Sequence, residues 1–197
     1  MKFAVPSLRF ERLDHASPAM AETIRSLMFD AYQVEAALIG RADDFLPLGR
    51  MAADIASADA TFIGVFLERD GPGDEAGQGS IVKPVAVAEL ERPPVEGADS
   101  TAGRTLNIAS FVVHPSRFRR GIGSALLRHI LDAHAPLRDG DGSPHRITVS
   151  TAVANQPAIV LYEKHDFAIS RHWTTPDGIE MVTMSSNCGR ERLEHRP

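Results

Sequence analysis

Gly121 and Gly123, with Arg117, Arg119 and Arg120 just ahead of them, are the residues whose types and spacing speak first of chemistry. Glycine has no Cβ, so a ligand can lie against the main chain there, and a helix beginning at this point turns unpaired N–H groups and partial positive charge toward it. That combination suits a phosphate group. The arginines add full positive charge to a chain whose net charge is -5, so the local sign opposes the global one.

The elements around the loop give it direction. Phe111-Val112-Val113 closes a β-branched apolar run that stops at Pro115. Beyond Gly123, the spacing of Ile122, Ala125, Leu126, His129, Ile130 and Ala133 predicts an amphipathic helix with one buried stripe. A second strand-to-helix unit follows, in which Ile147 to Ala152 reads as a strand and Asn155 to Phe167 as a helix entered near Pro157.

The first segment resembles the acyl-CoA-binding motif of the GNAT superfamily of N-acetyltransferases, Gln/Arg-x-x-Gly-x-Gly/Ala, with Gly121 and Gly123 in the glycine places, Arg120 before them and Ser124 and Ala125 after. Phe118 stands where the family has Gln or Arg. The second segment resembles the family's other motif, with Asn155, Ala158, Tyr162 and Phe167 in register and Asp166 replacing the usual glycine. Aspartate accepts a left-handed backbone better than most residues, so the helix stop survives that replacement.

The resemblance implies an α/β (α+β) fold: a mixed, mostly antiparallel sheet of about seven strands, helices on both faces, splayed between the fourth and fifth strands. It implies acetyl-CoA as co-substrate, held by Phe111, Val112 and Val113, by the loop residues Phe118, Arg119, Arg120, Gly121, Ile122, Gly123, Ser124 and Ala125, and by Asn155, Ala158 and Tyr162. The reaction it implies is direct attack of an amine on the thioester, with Tyr162 giving a proton to the departing thiolate. A phenol suits this because it is neutral near pH 7. Asn107, at the inward place on the strand ending at Val113, cannot act as a base, which leaves Glu89 and Glu91 as the candidate general bases; being two apart, they face one side of the sheet. Around the acceptor, segments near residues 30 to 50 and the last two strands contribute Arg41, Asp43, Asp44, Arg50, His172 and Trp173, and the acceptor is expected to be a small-molecule or protein amine.

Composition bounds the alternatives. With 197 residues, 43% hydrophobic and 24% charged, the chain reads as one globular domain with a substantial core. Net acidity disfavours broad nucleic-acid binding. No apolar stretch reaches membrane length, so a cytoplasmic protein without membrane partners is expected. One cysteine, Cys188, excludes an internal disulfide, and the histidines show no paired ligand spacing, so no metal is expected. A homodimer is compatible with the chain.

The remaining pattern predicts strands at 8–13, 60–68, 84–91, 105–113, 168–174 and 179–185, helices from Pro18 through Tyr32 and from Leu48 to Ile55, a glycine-rich acidic loop near 70–82 and a frayed tail from 187 to 197. Three readings stay open: an acyl-CoA-dependent N-acyltransferase, a non-catalytic acyl-CoA-binding module, and a dinucleotide-binding protein. The last lacks the third glycine of its fingerprint, since position 126 is leucine.

Overall fold

A computed structural model of the chain describes residues 7–41, 45–68, 83–92, 105–134 and 146–187. The glycine-rich loop near 70–82, Asp43, Asp44, the turn at 139–144, Cys188 and the tail from 188 onward lie outside the described residues.

Strands β1 (Leu8–Arg12), β2 (Thr61–Leu67), β3 (Ala86–Glu91), β4 (Thr105–Val113), β5 (Arg146–Ala152), β6 (Ala168–Thr174) and β7 (Glu180–Asn187) form one sheet in the order β1-β2-β3-β4-β5-β7-β6. Every pairing is antiparallel except β4 with β5. That parallel pair registers only Thr105 to Ile108 against Arg146 to Val149. Past Ile108 and Val149 the two strands have parted, which gives the expected splay.

Helices cover both faces. Helix α1 (Pro18–Leu38) and the short α2 (Ala52–Ala56) bury Ile24, Leu27, Met28, Ala31 and Ile55 against Phe62, Phe66, Val87 and Val112. On the other face α3 (Ile122–His134) and α4 (Gln156–Glu163) pack Ile122, Leu126, Leu127, Ile130, Ile159 and Tyr162 against Ala86, Ala88, Leu106, Ile108 and Val149. The buried stripe of α3 is turned toward Leu127 relative to the expected one. His129 is exposed instead and stacks on Phe10 at 4.4 Å.

The expected helix from Leu48 to Ile55 is interrupted. A 3-10 turn at Leu46–Gly49 gives way to extended backbone at Arg50 and Met51 before α2 begins. Met51 N–H donates to the Asp54 carboxylate at 2.8 Å, which fixes the helix start one residue later and leaves Arg50 free of helical geometry.

At the end of α4, Asp166 has φ 64, so aspartate does take the left-handed position that a glycine would fill. Such a conformation costs an L-residue about 1–2 kcal/mol. Asp166→Gly is therefore expected to raise stability by about 1 kcal/mol after its added unfolded-state entropy, visible as a melting temperature roughly 2–4 °C higher. An unchanged or lower melting temperature would contradict this account. No helix among the described residues is long and apolar enough to cross a membrane.

Candidate active site

The sequence from β4 into α3 folds as a series of local devices. His114 Nδ1 accepts from Ser116 N–H, seating a 3-10 turn at Pro115–Arg117. The backbone then takes positive φ at Arg119 (62°) and at Gly121 (78°), while Arg120 between them does not. Alternation of this kind turns successive N–H groups to one side and makes a concavity for an anion. The first helical hydrogen bond noted beyond it runs from Ala125 N–H to Gly121 C=O, so Ile122, Gly123 and Ser124 present first-turn N–H groups next to the same concavity. Arg119 and Arg120 are exposed, and Phe118, 42% exposed, projects away from the core.

A β-bulge decides which side chains reach this loop. Glu89 pairs with Ser110 but Leu90 pairs with Ile108, so Ala109 is an extra residue in β4. Before it, Leu106 and Ile108 face α3; after it, Val112 packs beneath α1 and α2, and Phe111 and Val113 turn toward α3 and α4. Of the three residues expected to border the pantetheine arm, Phe111 and Val113 thus line the seam with their side chains, while Val112 faces the opposite core. A Cβ built on Gly123 would point into that seam, 3.4 Å from Leu161, 3.6 Å from Val113 and 3.7 Å from Phe111. The space is open because residue 123 is glycine, and it fits an elongated group passing from the loop into the sheet opening.

The second motif closes the other side. Asn155 is the N-cap of α4, its Oδ1 accepting from Ala158 N–H at 3.3 Å. Tyr162 is 4% exposed, with its ring against Phe111 at 6.1 Å and Phe167 at 5.7 Å. Burial, then the charge of Glu35 and the neighbouring Tyr32, holds its hydroxyl well above the usual phenol range, so it keeps its proton. The loop and Tyr162 are brought together through Phe111, as the two motifs require.

Glu89 and Glu91 do face the same side of β3, toward α1 and α2. Glu89, 1% exposed, accepts from Arg50 through both guanidinium nitrogens at 2.5 and 2.7 Å and from Ser110 Oγ at 2.7 Å. Its lone pairs are largely committed. Glu91 is held above the usual carboxylate range by burial and by the charge of Glu89, partly offset by Arg50 and a hydrogen bond with Asn107. It lies opposite Asn107, where β4 and β5 are still paired, roughly 16 Å along the strand from Val112.

Residues not singled out from sequence complete the site. Tyr32 hydrogen-bonds Ser110, and burial first, then Glu35 and Glu89, pushes its hydroxyl up to about 12. Glu35 is half-buried and hydrogen-bonded with Asn155; burial raises its carboxyl above the ordinary value. A signal for it exists in the sequence, because Ile24, Met28, Ala31 and Glu35 step by four, three and four along the buried stripe of α1. Of the other acceptor-side residues, Arg41 bonds the main chain and side chain of Asp177 in the β6–β7 turn, Trp173 Nε1 donates to Thr183 Oγ1 at 3.2 Å, and His172 is exposed. Among the described residues no cluster of His, Cys, Asp or Glu is arranged to hold a metal ion. A separate cleft of about 320 Å³, bordered by Arg12, Arg92, His129 and His134, lies at the far end of α3, roughly 16 Å from Gly123 along the helix.

A sheet opened between a parallel central pair, with an anion-binding loop entering the helix after the fourth strand, defines the acyltransferase class of fold. The profile of the Acetyltransferase (GNAT) family matches residues 34–167, and the chain belongs to that family. Its structure is similar to the ribosomal-protein-S18-alanine N-acetyltransferase from Escherichia coli, 16% identical at TM-score 0.59, covering 97% of this chain and 100% of that one. It is also similar to a chimeric spermidine N-acetyltransferase from Vibrio cholerae and a human sequence, 13% identical at TM-score 0.59, covering 92% and 95%. At these identities the likeness is one of fold. In sequence it is 29% identical over 157 residues to the UPF0157 protein YqkA of Bacillus subtilis (strain 168), spanning 80% of this chain and 37% of that protein's length.

Proposed function

We propose that the protein is an acetyl-CoA-dependent N-acetyltransferase acting on a primary amine of a small molecule or a protein. One observation carries the reading: left-handed backbone at Arg119 and Gly121 runs directly into α3 beside the unpaired ends of β4 and β5. On this reading the diphosphate of the co-substrate rests on main-chain N–H groups from Arg119 to Ala125, with Arg119 and Arg120 adding charge at the rim. Because the grip is by main chain, Phe118 in place of the family's Gln or Arg does not weaken it. The arm of the co-substrate follows the Gly123 seam past Phe111, Val113 and Ala158, and main-chain N–H near Val112 or Val113 meets the thioester oxygen as charge grows on it. Tyr162 supplies the proton for the leaving sulfur. The acceptor approaches between α1 and the β6–β7 turn, where Arg41 and Asp177 meet.

Saturating coenzyme A is expected to slow hydrogen exchange at the amides of residues 119 to 125, and acetyl-CoA with an accepting amine to release free thiol. Spermidine and a peptide with amino-terminal alanine are first acceptors, since similar folds act on those amines by name. Absence of amide protection would end the reading; protection without thiol release on a broad amine panel would leave a binding module.

Gly121 supplies a further test. At φ 78 it tolerates a side chain only with strain. Gly121→Val is expected to weaken acetyl-CoA binding at least tenfold by calorimetry, because the loop N–H groups lose their common aim. Affinity within twofold of the parent would show that the loop is not the grip.

A further inference from the structure

Helix α1 packs on one face of the sheet and α4 on the other, so a hydrogen bond between Glu35 and Asn155 can pass only where the sheet is open. That opening begins beyond Ile108 and Val149, and Asn155 lies past the end of β5. Glu35 therefore stands in the mouth of the gap, on the acceptor side of Tyr162, with whose hydroxyl it interacts. Its carboxylate is not committed to a cation: Arg50 goes to Glu89, and the Glu35 partner is a neutral amide. Asn155 can hold Glu35 through its NH₂ while its oxygen caps α4, which fixes the carboxylate against the turn that carries Tyr162.

We propose that Glu35 takes the proton of the acceptor's ammonium, making the nitrogen nucleophilic in the gap where the thioester is held. This rests on the acetyl-transfer reading above. One ammonium proton moves to the Glu35 carboxylate. The freed lone pair forms the C–N bond as the C–S bond breaks, sulfur takes the Tyr162 proton, and the second nitrogen proton returns to the Tyr162 oxygen. Glu35 then releases its proton to water, so one ammonium and one thioester give one amide, one thiol and one proton. The titratable groups facing Glu35 are Tyr32 on its own helix and Tyr162 on α4; beyond Tyr32 stand Glu89 of β3 and Arg50 of the α1–α2 connection. Both tyrosines hold their protons across the working range, so the acid limb of the rate profile belongs to Glu35. Its midpoint is set above the ordinary carboxylate range by burial, and activity rises with pH through it.

The test measures kcat/KM against pH for the full chain with spermidine and with the alanine peptide, alongside acetyl-CoA affinity and melting temperature. Parent protein that binds acetyl-CoA but acetylates no amine overturns the acetyl-transfer reading, and this proposal with it. With an active parent, Glu35→Gln is expected to lose about 100-fold or more in kcat/KM. Its acid limb should flatten while acetyl-CoA affinity stays within twofold. A Gln variant that keeps the parent's acid limb overturns the proposal while leaving acetyl transfer intact. Should the Gln variant fail to fold, Glu35→Asp decides: a reduced kcat with an acid limb displaced from the parent's supports the base, and the parent's rate and limb overturn it.

Discussion

Tyr162→Phe is expected to lower kcat by about 100-fold with acetyl-CoA affinity unchanged, the lower part of the range ascribed to a positioned general acid. The ring is buried against Phe111 and Phe167, so phenylalanine fills the same volume and only the hydroxyl is lost. The effect should fall on kcat because the proton is needed as sulfur departs and not when the co-substrate binds. The sign with pH follows from the environment: burial and the Glu35 charge raise the hydroxyl's pKa, so the protonated, competent form persists into alkali and Tyr162 imposes no alkaline limb below pH 10. Steady-state kinetics with an accepting amine give the answer, and a Phe variant within threefold of the parent removes the residue from the chemistry.

Arg50→Ala is expected to be the most damaging single change for stability. It leaves the Glu89 carboxylate, 1% exposed, without its cation and with Ser110 as the hydrogen-bond donor that remains. Removing one partner of a buried pair costs about 3–5 kcal/mol, or roughly 6–20 °C in melting temperature for a chain of this size. Arg50→Met with Glu89→Leu should recover most of that loss, because two apolar side chains of similar volume need no pairing. A thermal melt of Arg50→Ala within 3 °C of the parent would mean that water reaches Glu89 and that the pair contributes little.

Much of the fold was legible from periodicity and punctuation: the seven strands, α1, α3 and α4 follow from apolar spacing and from Pro18, Pro157 and the glycine loop. The sites of both motifs were legible because a main-chain grip needs glycines at fixed spacing whatever the surrounding side chains. What escaped the sequence had long-range causes. The break at Arg50 depends on the reach of that side chain to Glu89 across 39 positions, and no local propensity announces it. Glu35 ends an apolar helical stripe, a pattern that reads as a solvated helix end until Asn155 is known to lie beside it. The left-handed conformation of Arg119 was equally hidden, since a non-glycine residue gives no compositional hint of it.

The extra residue at Ala109 bears on how this protein can vary. Because it inverts the in-and-out order of everything downstream in β4, chain length at that point matters more than the identity of the residue. Removing position 109 would exchange Phe111 and Val113 for Ser110 and Val112 along the ligand seam, pulling the Glu89 partner out of its core and closing the channel in one stroke. Lineages descended from such a sequence should therefore accept many substitutions in this strand and almost no deletions.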